Sequence, residues 1–235
     1  MEHEINLGDF REQSCPYGAL MLVDPPYGIS KKYATIDDEK PFYEWVKELL
    51  EWSNAKRNLM FAPHHTIYDW LPKIPRPDRI LMWHRTFVIP NQRGMEWTYS
   101  LTPILQYKDD DAPWYGPKRN DREWHDCIDS HSSMGDIRRL IKLFGDNRIK
   151  HPAMTGTAIA RKLLQGTTKE DDLVIDPMCG LGSIPVACIR ENRRIWACEI
   201  SEKYWEFALD WVNIENNSSK QKEKEPQDKH RKRIP

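Results

Sequence analysis

Short apolar runs closed by turn formers alternate along this chain with longer stretches whose apolar residues recur every three or four positions. Ala19 to Val23 is five consecutive apolar residues, the pattern of a short strand buried on both faces, as in a parallel sheet. Leu173-Val174-Ile175 and Arg194 to Cys198 read the same way, and further strands are expected at Asn58 to Phe61, Arg79 to Trp83 and Leu101 to Tyr107, with a short opening strand near Ile5. Pro41 to Asn54 puts Phe42, Trp45, Val46, Leu49 and Leu50 on one helical face. Short helices are predicted at Ile67 to Leu71, Thr157 to Leu164 and Ile184 to Ile189. Met134 to Phe144 turns Ile137, Leu140, Ile141 and Phe144 inward and Arg138, Arg139 and Lys142 outward. Tyr204 to Val212 closes the pattern with a stripe of Trp205, Ala208, Leu209 and Val212. This alternation predicts an α/β fold: a mostly parallel sheet of seven strands, near residues 5, 19, 58, 79, 101, 173 and 195, with helices on both faces. One domain is expected over 1–214. From Glu215 onward apolar periodicity stops, and 215–235, with seven Lys or Arg against four acids, reads as a disordered charged tail.

Composition narrows the class. A chain of 235 residues can form one α/β domain with a real core. Hydrophobic content of 39% and charged content of 30% describe a polar protein. No run approaches the roughly 18 apolar residues that span a bilayer, and the polar start does not resemble a signal peptide, so a cytoplasmic protein is expected. The five cysteines, at 15, 127, 179, 188 and 198, are odd in number and form no CxxC pair, which argues against disulfides and a structural zinc site. His125, Cys127 and His131 make a poor ligand set, and no metal is expected. A net charge of -1 argues against a globally basic nucleic-acid binder, so any such binding needs a local basic face.

Candidate chemistry gathers at two loops. The apolar run at 19–23 stops at Asp24-Pro25-Pro26-Tyr27, which puts an acid at the carboxyl end of a strand, where open α/β sheets bind their ligands. Two prolines fix φ and remove two donors, leaving the Asp24 carboxylate and the Pro25 carbonyl as acceptors beside the flat face of Tyr27. Such a set suits an amino group on a planar heterocycle. The plain alternative is an ordinary Pro-rich turn. In the second loop, Leu173-Val174-Ile175 leads into Asp176-Pro177-Met178-Cys179-Gly180-Leu181-Gly182-Ser183 and then an apolar helix. Strand, Gly-rich turn and helix form the first half of a nucleotide-binding βαβ unit. Glu199 ends the next strand about 20 residues on, the offset of a ribose-binding acid. No full GxGxxG and no GK[ST] is present, which points away from a dinucleotide or ATP and toward a nucleoside cofactor without phosphate.

Together the two loops resemble the DNA amino-methyltransferases, which use S-adenosylmethionine to methylate the exocyclic amine of adenine or cytosine. DPPY at 24–27 is similar to the family's catalytic motif and DPMCGLGS at 176–183 to its cofactor motif. Catalytic loop before cofactor loop is the circularly permuted order of the β group. Ile5-Asn6-Leu7-Gly8-Asp9 looks like the family's opening strand and GD turn, Arg79 to Arg85 with Leu101 to Tyr107 like its paired late strands, Lys150-His151-Pro152 like its HPTQKP segment, and Glu199 to Tyr204 like the acid-containing stretch beyond the cofactor loop. This chain departs from the family at Ala153-Met154-Thr155-Gly156, where Lys-Pro is usual, and at Met178 and Cys179.

The resemblance implies a Rossmann-like methyltransferase fold and a site-specific enzyme acting on double-stranded DNA with a flipped target base. It implies Asp24, Pro25, Pro26 and Tyr27 as catalytic residues and Asp9, His151, Asp176, Pro177, Met178, Cys179, Gly180, Gly182, Glu199 and Ile200 as cofactor contacts. Residues 108–150 occupy the target-recognition position, and Lys31, Lys32, Arg93, Lys118 and Arg119 are candidate DNA contacts. Asp before the prolines favours adenine N6. Cytosine N4, an RNA or protein amide substrate, or a noncatalytic DNA-binding subunit remain alternatives, as do monomer and homodimer.

Overall fold

The computed structural model describes residues 3–28, 39–86, 100–116, 126–131, 134–145 and 154–224. Among them eight strands form one sheet: β1 (His3–Leu7), β2 (Leu20–Val23), β3 (Arg57–Phe61), β4 (Arg79–Arg85), β5 (Leu101–Lys108), β6 (Cys127–Ser130), β7 (Leu173–Asp176) and β8 (Arg194–Glu199). Their order is β1-β8-β7-β2-β3-β5-β4-β6. Only β5 runs against its neighbours, β3 and β4; the other pairings are parallel.

The seven expected strands are all present, and the eighth, β6, is an addition. It pairs with β4 from Met82↔Cys127 to Arg85↔Ser130 at the sheet edge. An edge strand with one partner needs no continuous apolar run, and Cys-Ile-Asp-Ser offers none.

Among the described residues six α-helices cover the faces: α1 (Phe42–Trp52), α2 (Ile67–Trp70), α3 (Met134–Phe144), α4 (Thr157–Thr167), α5 (Ser183–Arg190) and α6 (Glu202–Lys224). The period of two along β2 divides its residues between two cores. Leu20 and Leu22 join Leu140 of α3 and the apolar faces of α4, α5 and α6; Met21 and Val23 join Phe42, Trp45, Val46 and Leu49 of α1 and Trp70 of α2. All four β2 residues are fully buried, as expected of a central parallel strand.

Two helical expectations change. In α3, Leu140 is fully buried and Phe144 packs on Phe207 with ring centroids 4.7 Å apart, but Ile141 is 39% exposed. The buried stripe is narrower than its sequence suggests. The chain is also helical well beyond Val212: α6 continues through Glu215 to Lys224, so 215–224 is not the disordered stretch its composition implies. Glu215 is buried and paired with Arg190 of α5, an anchor that apolar periodicity does not register. Residues 225–235 lie outside the described residues. Among the described residues no helix is long and apolar enough to cross a membrane.

Candidate active site

Parallel neighbours end at one edge of the sheet, so the residues that terminate β1, β2, β7 and β8 are brought together whatever their separation in sequence. Asp24 follows β2, Asp176 ends β7, Glu199 ends β8, and Gly8-Asp9 follows β1. One cleft is lined by Asp24, Pro25, Pro26 and Tyr27 together with Asp9, Asp176, Pro177, Met178, Cys179, Gly180, Glu199 and Ile200.

At the β2 end, Tyr27 donates its hydroxyl to Asp24 Oδ1 at 2.7 Å, and the Thr155 hydroxyl donates to Asp24 Oδ2. The Tyr27 ring stands at 86° to Phe42 of α1, centroids 6.0 Å apart, which braces the turn from below.

At the β7 and β8 ends the acids are buried. Glu199 accepts the N–H of Gly180 at 2.8 Å and that of Ser201 at 2.9 Å. Burial raises its pKa, and the backbone N–H groups of Ser201, Gly180 and Ile200 offset part of that rise. Asp176 accepts the Met178 N–H at 3.3 Å through Oδ1, while its buried Oδ2 has no hydrogen-bond partner among the described residues. Burial pushes the Asp176 carboxyl well above the usual range; the Met178 N–H opposes this, and the charges of Glu199 and Asp24 add to it. A buried carboxylate oxygen without a donor is costly and suits a cationic ligand group. Asp9 is different. Its carboxylate takes a fork of hydrogen bonds from the Arg11 guanidinium, with Nε at 2.8 and 3.0 Å, and Arg11 holds its pKa below the ordinary value despite partial burial.

Gly182 belongs elsewhere. It is absent from the cleft lining; it caps α5 with φ of 89°, and a Cβ there would meet Ala208 of α6 at 3.0 Å. A glycine here lets α5 and α6 approach. His151 and the basic residues Lys31, Lys32, Arg93, Lys118 and Arg119 lie outside the described residues.

Several lining residues carry no motif: Phe10, Arg11, Trp45, Met154, Thr155, Ser183 and Tyr204. Thr155 could have been singled out as the departure from the usual Lys-Pro segment. Lys40 stacks over the Trp45 ring, 3.8 Å from its centroid, and pairs with Glu48, so that wall is fixed from behind. Among the described residues no group of three or more His, Cys, Asp or Glu is placed to hold a metal ion, and all five cysteines are free.

The cleft combines an acid-aromatic turn, a glycine turn closed by an acid, and a buried carboxylate oxygen without a donor. This suits an uncharged polar ligand end at Glu199 and a cationic one at Asp176. Comparison with known proteins agrees with the architecture. The type II methyltransferase M.HpaI of Haemophilus parainfluenzae is 24% identical over 227 residues, spanning 84% of this chain and 69% of M.HpaI. The solved M1.HpyAVI–SAM complex superposes with a TM-score of 0.64 at 19% identity, covering 90% of this chain and all of that one. The PvuII cytosine-N4-specific DNA methyltransferase gives 0.66 at 15% identity, covering 92% of this chain and 93% of its own. The fold is thus that of the S-adenosylmethionine-dependent methyltransferases. The sequence pattern of a DNA methylase family matches residues 76–210, more than half of the chain, and the protein therefore belongs to the N6/N4 DNA methylase family.

Proposed function

We propose that this protein transfers a methyl group from S-adenosylmethionine to the exocyclic N6 amine of adenine at specific sites in double-stranded DNA, in the permuted order of the β group. The observation that carries the reading is the convergence of Asp24 and Tyr27 with Asp176, Gly180 and Glu199 on one cleft, although the two loops lie some 150 positions apart in sequence. M.HpaI, named a type II methyltransferase, supports a modification enzyme of the restriction–modification kind.

Glu199 would accept the ribose hydroxyls, and the Asp176 oxygen without a donor would take the methionine ammonium. Bound S-adenosylmethionine supplies an electrophilic methyl group on its sulfonium. A target base inside a duplex must flip out at a cost of a few kcal/mol. Stacking on Tyr27, at ~1 to 3 kcal/mol per base, offsets much of that. Asp24 accepts one hydrogen of the amine and the Pro25 carbonyl the other. These bonds weaken conjugation of the nitrogen lone pair with the ring and aim it across the cleft; the N–C bond would form as the sulfonium S–C bond breaks to leave a neutral thioether, and the proton lost from nitrogen would pass to solvent. The protein's contribution is orientation and stabilisation of positive charge developing on nitrogen.

Residues 108–150 are the candidate reader, with Lys31, Lys32, Arg93, Lys118 and Arg119 on the phosphates; so small a segment fits a short recognition sequence. Within this reader, β6 and α3 are built into the domain itself.

Expression in methylation-free cells, followed by genome sequencing for modified bases, tests the reading. N6-methyladenine in one short sequence context is expected, and its loss in an Asp24→Ala protein. N4-methylcytosine would replace adenine with cytosine as the target, and the absence of any modified base would overturn methyl transfer to DNA.

A further inference from the structure

A side-chain carboxylate at the tip of a turn can rotate, so aiming it needs donors fixed in more than one element. Tyr27 lies three residues from Asp24, and its hydrogen bond travels with the turn. Thr155 is different. Its hydroxyl reaches Asp24 Oδ2 from 131 positions away in the chain, and the residue is 6% exposed.

Thr155 is held in turn. Two residues on, Thr157 opens α4, and both its N–H, at 2.8 Å, and its hydroxyl, at 2.9 Å, donate to the carboxylate of Asp136 in the first turn of α3. This cap comes from another helix, not from the residue at the α4 N-cap, which is Gly156 and has no side chain to offer. Arg190 of α5 donates to the Thr157 hydroxyl at 2.9 Å and to Glu215 of α6 at 2.8 Å. Arg139, one turn along α3 from Asp136, closes the set on Glu215 at 2.5 Å. Four helices thus converge on the segment that carries Thr155, and one of them lies in the 108–150 segment.

Resting on the methyl-transfer reading above, we propose that Thr155 is a positioning residue: its hydroxyl fixes the Asp24 carboxylate for the incoming amine, and the Asp136 cap on α4 holds Thr155 in place. A helix of the target-reading segment thereby sets the geometry of the catalytic turn. Thr155 touches neither the base nor the methyl donor in this scheme. Its effect falls on the rate of transfer, since misplacing a reacting group by about 1 Å costs on the order of 100-fold.

The test compares Thr155→Val, Thr155→Ser, Asp136→Ala and Asp24→Ala in the full chain. Each is assayed by single-turnover methyl transfer from S-adenosylmethionine to unmethylated genomic DNA, with KM for DNA, cofactor affinity and thermal melting in parallel. Thr155→Val, which keeps shape and removes the donor, is expected to lower the transfer rate constant by on the order of 100-fold, with cofactor affinity and KM unchanged. Thr155→Ser restores most of the rate, and Asp136→Ala slows transfer in the same direction although it is remote from the cleft. A Thr155→Val protein at the wild-type rate, one altered in KM alone, or a Thr155→Ser protein as slow as Thr155→Val overturns the positioning role. Asp136→Ala at the full rate overturns the anchor. Because Asp24→Ala is run alongside, the two readings separate: its full activity sinks the methyl-transfer reading, whereas its inactivity beside a full-rate Thr155→Val sinks only the role of Thr155.

Discussion

The carboxylate of Glu199 closes the turn at Gly180, accepting its N–H at 2.8 Å and that of Ser201 at 2.9 Å. The last residue of β8 therefore has two functions: it clamps the glycine turn after β7, and it faces the cleft as an acceptor. Glu199→Ala removes both. Hydrogen bonds to a charged group are worth ~1.5 to 3 kcal/mol, so cofactor affinity is expected to fall roughly 10- to 150-fold, with a lower melting temperature from the two orphaned N–H groups. Titration calorimetry with S-adenosylmethionine reads the first and thermal melting the second. Unchanged affinity would remove Glu199 from the ribose site.

Gly182 separates packing from binding. A methyl group there would stand 3.0 Å from Ala208 Cβ and 3.1 Å from its Cα, on a backbone with φ of 89° that L residues rarely adopt. Overpacking and strain of this kind cost about 1 to 3 kcal/mol each. Gly182→Ala should therefore lower the denaturant midpoint while the folded fraction keeps its cofactor affinity. Loss of affinity at full stability would return Gly182 to the cofactor site.

Much of this arrangement was legible in the sequence because it rests on short-range rules. β2, β7 and β8 are apolar runs, and parallel strands place their last residues on one edge, so Asp24, Asp176 and Glu199 could be expected in one site. The misses are long-range or polar. β6 is an edge strand whose sequence carries no apolar alternation strong enough to announce it. α6 outlasts its apolar stripe because an ion pair at Glu215 continues its docking. Gly182 sits in a Gly-rich turn and reads as a ligand contact; that it also faces Ala208 of α6 is something local sequence does not announce. Thr155 meets Asp24 across 131 positions of chain, a contact that no local pattern announces.

Asp176 ties cofactor binding to pH. Burial raises its carboxyl above the ordinary range of 3.8, the Met178 N–H opposes the rise, and the charges of Glu199 and Asp24 add to it. The folded state thus holds this proton to higher pH than the unfolded chain does. A raised acid contributes stability that is complete below the unfolded pKa and lost as pH rises through the folded one. Asp176→Asn keeps the acceptor for Met178 and cannot ionise. Its melting temperature should match the wild type in acid and exceed it increasingly as pH rises through the folded pKa, while cofactor affinity drops. In the wild type, affinity for the cationic cofactor should rise over the same window, since binding requires the carboxylate. Parallel melting curves for the two proteins across that range would refute the assignment.

Glu215 makes the opposite prediction. Burial by itself would raise its pKa, but the hydrogen bond and charge of Arg190 and the charge of Arg139 outweigh it, and the carboxyl is held below its ordinary 4.5. A lowered acid contributes stability that is present above the unfolded pKa and lost as pH falls through the folded one. Glu215→Gln leaves Arg190, itself largely buried, facing an amide. Removing one partner of a buried pair costs about 3 to 5 kcal/mol, with the lower end expected here because Arg139 is half exposed. The deficit should be full at neutral pH and shrink in acid, where the wild-type carboxyl is itself protonated. Truncation after Ile214 should reproduce it, because the residues that composition marks as a loose tail begin with the acid that pins α6 to α3 and α5. A truncated protein as stable as the full chain would mean that the Arg139–Glu215–Arg190 cluster adds nothing to the fold.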